Sequence, residues 1–310
     1  MDKVSVFCLI VTFNGSRWIR KCLDSVLRDA GIDLKVVAID NGSSDGTLTI
    51  LHEEYPEVHV IENGTNRGFG YANNRGLEYA YKQGATHFLL LNQDAFMLPG
   101  AVGKLVEVQQ EGAFPLVSPI HMNGTGKMLD HAFYHCISRA ATGKALLSDM
   151  LNETPKDSYE CPFVNAACWL IPRPTVERIG GFDPLFFHYG EDNDYCKRII
   201  WHGGSPVIVP AAVMCHDRER RGNEAMWEKN RLLSFLLLMY GIDSKPRRER
   251  IKFHYLNLKT VLFNLLTFHW NNVKPLLHGY HAFFKRLPAV KEHVRNNRET
   301  APNWLSLKEH

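Results

Sequence analysis

Several polar residues stand directly after apolar runs, where their side chains could act on a ligand. Asn92-Gln93-Asp94 follows Leu89-Leu90-Leu91 and sets two oxygen-bearing side chains two residues apart, a spacing that points both the same way in an extended segment. A carboxylate at Asp94 can hold a hard divalent cation that neutralises a diphosphate; the competing reading is a cap before Pro99. Glu191-Asp192-Asn193-Asp194 places three carboxylates at a helix start, more than capping uses. Such crowding raises carboxylate pKa values and can supply a general base, while Asp194 with Arg198 is more simply an i,i+4 pair. Asp40, in Ile39-Asp40-Asn41-Gly42-Ser43, can accept from a base N–H or a ribose hydroxyl, or it can close an Asx turn with Gly42. His216 follows a late strand and a Pro210-Ala211-Ala212 turn and is either a structural histidine or a metal ligand.

The elements that must position these residues are legible as apolar runs. Residues 4–11, 34–39, 58–61 and 87–91 read as strands, with helices over 17–28, from Ser44 or Asp45 to 54, and over 70–83. Four alternations of strand and helix predict a parallel sheet with right-handed crossovers. Ligands of such sheets lie beyond the carboxyl ends of the strands. Thr12, Asn14, Asp40, Asn41, Asn66, Asn92 and Asp94 all fall there. The segment Asn66-Arg67-Gly68-Phe69-Gly70-Tyr71-Ala72-Asn73 is Gly-rich ahead of a helix but lacks the third Gly of a dinucleotide fingerprint; its glycines still permit close approach of a ligand. Further on, residues 100–111 suggest a helix, 121–160 an irregular region or a short hairpin, 163–171 a strand, 191–202 a helix and 206–209 a late strand. From 224 to 240 and from 247 to 268 the chain reads as helix, punctuated by Gly241, Pro246 and Pro275.

Length and composition set bounds on this picture. The 310 residues, 45% hydrophobic and 22% charged, describe a globular chain. Residues 1–216 carry 18 Lys and Arg against 24 Asp and Glu, a net of −6, whereas 217–310 carry 18 against 9, a net of +9. Seven scattered cysteines without a CxxC spacing argue against a disulfide framework or a structural zinc site and fit a reducing cytoplasm. The short N-terminal apolar stretch lacks a basic flank and reads as a first strand rather than a signal peptide. No apolar run reaches the roughly 18 residues of a spanning helix, which points to a soluble or peripheral protein.

These pieces together resemble glycosyltransferase family 2, the inverting enzymes with the GT-A fold, over roughly residues 4–220. The resemblance is carried by Leu9-Ile10-Val11-Thr12-Phe13-Asn14, by the Asp40 segment on to Ser44-Asp45-Gly46-Thr47, and by the run from Asn66 to Gly76. It continues through Asn92-Gln93-Asp94, Gly180-Gly181-Phe182-Asp183 and Glu191-Asp192-Asn193-Asp194-Tyr195-Cys196-Lys197-Arg198. The bacterial branch that builds O-antigens and other polysaccharides, including rhamnosyltransferase-like members, looks most similar. The resemblance implies an α/β GT-A domain over 1–220, with a mainly parallel central sheet flanked by helices; the helical pattern that follows reads as a C-terminal extension over 221–310. It implies that Thr12, Asn14 and Asp40 line the base and ribose, with Asn66, Gly68 and Asn73 near the ribose and diphosphate, and Asn41 among the nucleotide-binding residues. Asn92-Gln93-Asp94 occupies the family's DxD place, with Asp94 as the metal-binding carboxylate. Asn92 replaces the first Asp of that motif, which weakens the metal site or leaves Asn92 to contact the ribose. Glu191-Asp192 falls on the ED motif and makes Asp192 the general base; His216 matches a late metal-ligating histidine. The implied cofactor is Mg²⁺ or Mn²⁺, and the implied reaction moves a sugar from a UDP- or dTDP-sugar to a glycan or lipid-linked acceptor.

The tail lies largely outside the resemblance. Trp227, Leu232, Phe235, Leu236 and Met239 form one apolar stripe, and Leu256, Val261, Leu262, Phe263, Leu265 and Leu266 another. They pack on the body or in a homo-oligomer, or they rest on an anionic membrane surface beside Lys245, Arg247, Arg248, Arg250, Lys252, Lys285 and Arg286. The second arrangement would keep a cytoplasmic protein peripheral at the inner face of the cell membrane. No nucleic-acid-binding module is evident. A non-catalytic sugar-nucleotide-binding scaffold is the alternative, kept open by Asn92. A nucleotidyltransferase fits poorly, because Thr12-Phe13-Asn14-Gly15-Ser16-Arg17 does not resemble a triphosphate-binding loop.

Overall fold

The N-terminal apolar runs pair as buried strands. In the computed structural model, which describes residues 3–28, 32–138, 140–218, 224–299 and 305, the first third of the chain alternates strands and helices. These are β1 (Val6–Thr12), α1 (Ile19–Leu27), β2 (Leu34–Asp40), α2 (Thr47–Glu54), β3 (His59–Glu62), α3 (Phe69–Lys82) and β4 (His87–Asn92). The chain continues through β5 (Ala95–Met97), α4 (Ala101–Gly112), β6 (Leu116–Asn123), α5 (His131–Ser138), α6 (Ala141–Leu151) and β7 (Tyr159–Glu160). Then come β8 (Cys168–Pro172), α7 (Arg173–Ile179), α8 (Glu191–Trp201) and β9 (Pro206–His216), and three final helices, α9 (Glu224–Met239), α10 (Arg247–Leu266) and α11 (Trp270–Glu299).

Among the described residues, nine strands form one sheet in the order β3-β2-β1-β4-β8-β6-β9-β5, with β7 also on β9. Strands β1 to β4 are mutually parallel. Beyond them the sheet is mixed: β8 runs antiparallel to β4 and β6, β9 parallel to β6, and β5 antiparallel to β9. The unbroken apolar character of β1 reflects burial on both faces. Val6, Cys8 and Ile10 enter one core with residues of α1, α2 and α4, while Phe7 and Leu9 enter another with α3, α5, α6, α7 and α8. Leu9 is completely buried, so truncating it to alanine would cost about 2–5 kcal/mol.

Four local expectations change. Residues 121–160 are more regular than expected: β6 runs to Asn123, a short hairpin turn pairs Met122 with Leu129, and two helices follow. Pro119 disguises β6, because proline belongs at bulges in sheets, and the register does shift between Pro119 and Ile120. The same bulge absorbs Pro210-Ala211-Ala212, so β9 does not turn there but continues for 11 residues to His216. Helix α2 begins after Gly46, and Asp45 acts from one position earlier by accepting the Thr47 N–H at 3.0 Å. Pro275 does not end a helix. Helix α11 passes through both Pro275 and Pro288, each without a donor, and is held by burial of Val273, Phe283 and Val290.

The last helices build a third core from Leu236, Leu237, Phe283 and Val290, into which the body inserts Phe186. The side chain of Trp227 lies outside the described residues. Most of α10 stays open: Ile251, Tyr255, Leu258, Leu262 and Leu266 are all exposed. No helix among the described residues is long and apolar enough to cross a membrane.

Candidate active site

The ends of β1 and β2 are tied through Asp40. Its Oδ1 accepts from the Thr12 hydroxyl at 2.9 Å and from the Ser43 hydroxyl at 2.5 Å; its Oδ2 accepts from the N–H groups of Gly42 and Ser43, each at 2.9 Å. Thr12 and Asp40 are both buried. The carboxylate therefore shapes an Asx turn, and its acceptor sites are filled from within the protein. Asn14, at φ +49°, accepts the Ser44 N–H at 2.8 Å, and its own N–H donates to the Ser43 hydroxyl at 2.9 Å.

Asn41 reaches from β2 to the loop before α3. Its Nδ2 donates to Gly68 O at 3.1 Å and to Asn66 Oδ1 at 3.4 Å, while Asn66 Oδ1 also accepts the Gly68 N–H at 3.0 Å. Gly68 has φ +93°, and a Cβ there would sit 2.1 Å from the carbonyl oxygen of Phe187. Both facts require glycine. Asn73 goes elsewhere: it is buried and donates to Phe69 O at 3.0 Å within its own helix. Gln93, which the sequence did not single out, binds both the N–H and the C=O of Phe13, at 3.0 and 3.1 Å, and locks the β1 loop to the β4–β5 turn.

Asn92 and Asp94 converge, though by a turn at Gln93-Asp94 and not by strand alternation. Both reach the same atom: His216 Nε2 lies 3.4 Å from Asn92 Nδ2 and 3.1 Å from Asp94 Oδ1. On the other side of the ring, Nδ1 has no hydrogen-bond partner and sits 3.8 Å from Asp130 Oδ2. Asp130 is buried, accepts the Phe133 N–H at 3.0 Å and takes Arg218 Nε at 2.9 Å. It lies at the head of α5, inside the region read as irregular, so nothing in the sequence pointed to it. Among the described residues no group of three or more His, Cys, Asp and Glu forms a complete metal cage. One carboxylate and one imidazole nevertheless suit a cation that completes its shell with water and phosphate oxygens. A metal-bound His216 would direct Nδ1–H at Asp130, the usual carboxylate–histidine support of such ligands.

Glu191 and Asp192 open α8 behind Gly190. Glu191 is buried, its Oε2 has no partner, and burial reinforced by the neighbouring Asp192 pushes its pKa up to about 8. Asp192 keeps part of its surface exposed, yet the surrounding protein still raises its pKa; N–H groups of Asn193 and Ala166 and the charge of Arg218 oppose the rise. Its Oδ1 accepts the Asn193 N–H at 2.8 Å. Asp194 belongs to the scaffold. It takes Arg198 Nε at 2.8 Å in a buried pair, and burial raises its pKa to about 6 against the pull of that cation. Arg198 also donates to Ile179 O at 2.7 Å and Gly181 O at 2.8 Å, and Asn74 brackets Phe182 with bonds of 2.8 and 2.7 Å. The Gly180-Gly181-Phe182-Asp183 segment is thereby fixed to α3 and α8.

Known proteins share this architecture. The family model described as Glycosyl transferase family 2 matches residues 7–180. An N-acetylglucosaminyl-diphospho-decaprenol L-rhamnosyltransferase of Mycobacterium tuberculosis is 26% identical over 231 residues, covering 67% of this chain and 74% of the relative. The dTDP-rhamnosyl transferase RfbF of Shigella flexneri is 21% identical over 212 residues, covering 68% and 69%. Among solved structures, a mannosyltransferase of Pyrobaculum calidifontis in complex with GDP-Man and Mn²⁺ superposes with a TM-score of 0.58 at 20% identity, covering 93% of this chain and 76% of that one. GalNAc-T7 with UDP, GalNAc and Mn²⁺ gives a TM-score of 0.59 at 16% identity, covering 78% of this chain and 49% of that one. The fold is the GT-A fold.

Proposed function

The chain belongs to glycosyl transferase family 2, and on that premise we propose that it moves a sugar from a UDP- or dTDP-sugar to a hydroxyl of a glycan or lipid-linked acceptor in bacterial surface-polysaccharide synthesis. The observation that carries this reading is the meeting of Asn92, Asp94 and His216 at one point beyond the strand ends. The loops of Thr12, Asn14, Asn41, Asn66 and Gly68 line the same edge of the sheet and suit a nucleoside. The turn held by Asp40 presents the Gly42 and Ser43 segment to the base. Asn73, bound within its helix, supports the loop rather than the ligand.

Asp94 and His216 would hold Mg²⁺ or Mn²⁺, with Asn92 as a neutral third contact. A divalent cation there offsets the charge that grows on the departing nucleoside diphosphate. Asp192 accepts the proton of the acceptor hydroxyl as its oxygen attacks the anomeric carbon. The new C–O bond forms as the bond to the diphosphate breaks, in one displacement that inverts the carbon. A raised pKa brings Asp192 closer to the optimum for a base working near neutrality. Buried Glu191, protonated at pH 7, spares Asp192 a second negative neighbour.

We retain the division into a 1–220 catalytic body and a 221–310 helical extension. The exposed apolar face of α10, flanked by Arg247, Arg248, Arg250 and Lys252, suits an anionic membrane surface and would bring a cytoplasmic enzyme to a lipid-linked acceptor. A scaffold that binds sugar nucleotide without turnover is the second reading, favoured only by Asn92.

A thermal-shift panel of UDP, dTDP and GDP with and without Mn²⁺ or Mg²⁺ tests the proposal. A ligand at about 100 times its Kd adds roughly 2.7 kcal/mol to the native state. A metal-dependent shift with UDP or dTDP is expected; none with any nucleotide overturns the donor site.

A further inference from the structure

A deep apolar cleft adjoins the site on the face covered by α5 and α6. Its volume is about 960 Å³ and its wall includes Ile120, Met122, Leu146, Leu147 and Val213. Among the described residues, polar side chains besides the Cys215 thiol enter it only from Lys21 and Thr125. Lys21 Nζ lies 3.4 Å over the Phe96 ring, and among the described residues it forms no ion pair. The cleft abuts the catalytic edge through β9, which sends Val213 and Cys215 to the cleft wall and ends one residue later at His216. A second junction lies at Gly124, a wall residue whose Cβ, if present, would be 2.5 Å from Asp217 Oδ1.

This lining selects its occupant. A nucleotide or sugar would bury hydroxyls and ring nitrogens with almost no partners, which is costly. An extended polypeptide would leave backbone N–H and C=O groups equally unpaired. A hydrocarbon chain has no such groups. One end of that chain must be anionic to match Lys21, the cation that the described residues place at the wall, and must emerge where the acceptor hydroxyl is needed. We propose that the cleft holds the first isoprenoid units of a polyprenyl-phosphate-linked acceptor, with Lys21 facing its phosphate and the sugar delivered toward Asp192. This assignment rests on the reading of the chain as a transferase to a lipid-linked acceptor.

The test uses the full chain and water-soluble prenyl phosphates below their micelle threshold. Each buried methylene is worth about a fourfold gain in affinity. Farnesyl phosphate is therefore expected to bind at least tenfold more tightly than geranyl phosphate, with inorganic phosphate not binding in the same range. Leu147→Glu should weaken farnesyl phosphate at least tenfold. Lys21→Glu should weaken farnesyl phosphate but leave farnesol unchanged. Nucleotide-dependent thermal shifts should persist in both variants, which separates this outcome from failure of the donor site. No prenyl binding by wild-type protein that still responds to nucleotide overturns the inference and leaves the transferase reading intact. Affinity that does not change with chain length overturns it as well. So does a dimer in sedimentation that Leu147→Glu dissociates while prenyl phosphates fail to bind, since the cleft would then hold a second copy. Because the chain-length series needs only wild-type protein, the inference stays testable even if the variants fold poorly.

Discussion

Asp94 Oδ1 stands 3.1 Å from His216 Nε2 although 122 residues separate them, because β5 pairs antiparallel with β9 and puts Ala95 opposite His216. Short β5 is thus the device that brings the β4 turn to the end of the last strand. If this pair holds the cation, Asp130 behind the ring orients it. Removing such a support commonly costs 10–100-fold in metal affinity. Asp130→Asn should therefore weaken Mn²⁺ binding in the presence of UDP by that factor, read by calorimetry or by the Mn²⁺ spin-resonance signal, with the melting temperature nearly kept. Undiminished Mn²⁺ affinity would remove Asp130 from the arrangement.

Asp192→Asn keeps the shape of the α8 start and removes the proposed base. Transfer should fall by about 10²–10⁴-fold, while the nucleotide-induced thermal shift stays. Substantial transfer by this variant would refute the assignment, and an inactive wild type with an intact nucleotide shift would favour the scaffold.

The pKa of Glu191, raised to about 8 by burial and by Asp192, makes a signed prediction. Unfolded, the side chain titrates near 4.3, so between roughly that pH and 8 the native state holds the extra proton and stability falls as pH rises. Above 8 the full penalty of a buried charge is present. Glu191→Gln removes it. The variant should match wild type near pH 4 and melt several degrees higher at pH 9, by about 2–4 °C for each kcal/mol. Parallel melting curves at all pH values would show that Glu191 ionises normally.

Exposed Ile251, Tyr255, Leu258, Leu262 and Leu266 on α10 should bring the protein up with anionic liposomes at low salt, and Leu258→Glu with Leu262→Glu should abolish flotation. A wild-type protein that stays in the soluble fraction at low salt would exclude the membrane-surface reading.

Much of this was legible from residues alone, and the reasons are physical. Buried parallel strands are continuous apolar runs, so β1, β2 and β4 announced themselves, and the residues after them had to share an edge. What the sequence hid was pairing through irregularity. Pro119 and Pro210 look like breaks, yet they form a bulge that lets β9 reach His216. Asp130 has no pattern around it, and its approach to His216 exists only once α5 is folded. Asp40 could be read two ways because an Asx turn and a ligand contact use the same Asp and Gly. The four donors on its carboxylate show that the turn is formed.

Phe186, packed among Leu236, Leu237 and Phe283, lies five positions before Glu191, and Asp183 accepts from His293 Nδ1 at 3.0 Å. The loop leading into the carboxylates is thus wedged against helices about 50 and about 100 residues further along the chain. If Asp192 is the base, sequence drift in α11 should consequently not be neutral with respect to turnover. A change at Phe283 or Val290 should loosen the seat of the loop before Asp192, and compensating replacements should be sought at Phe186 or Leu237 rather than in strands β1, β2 and β4.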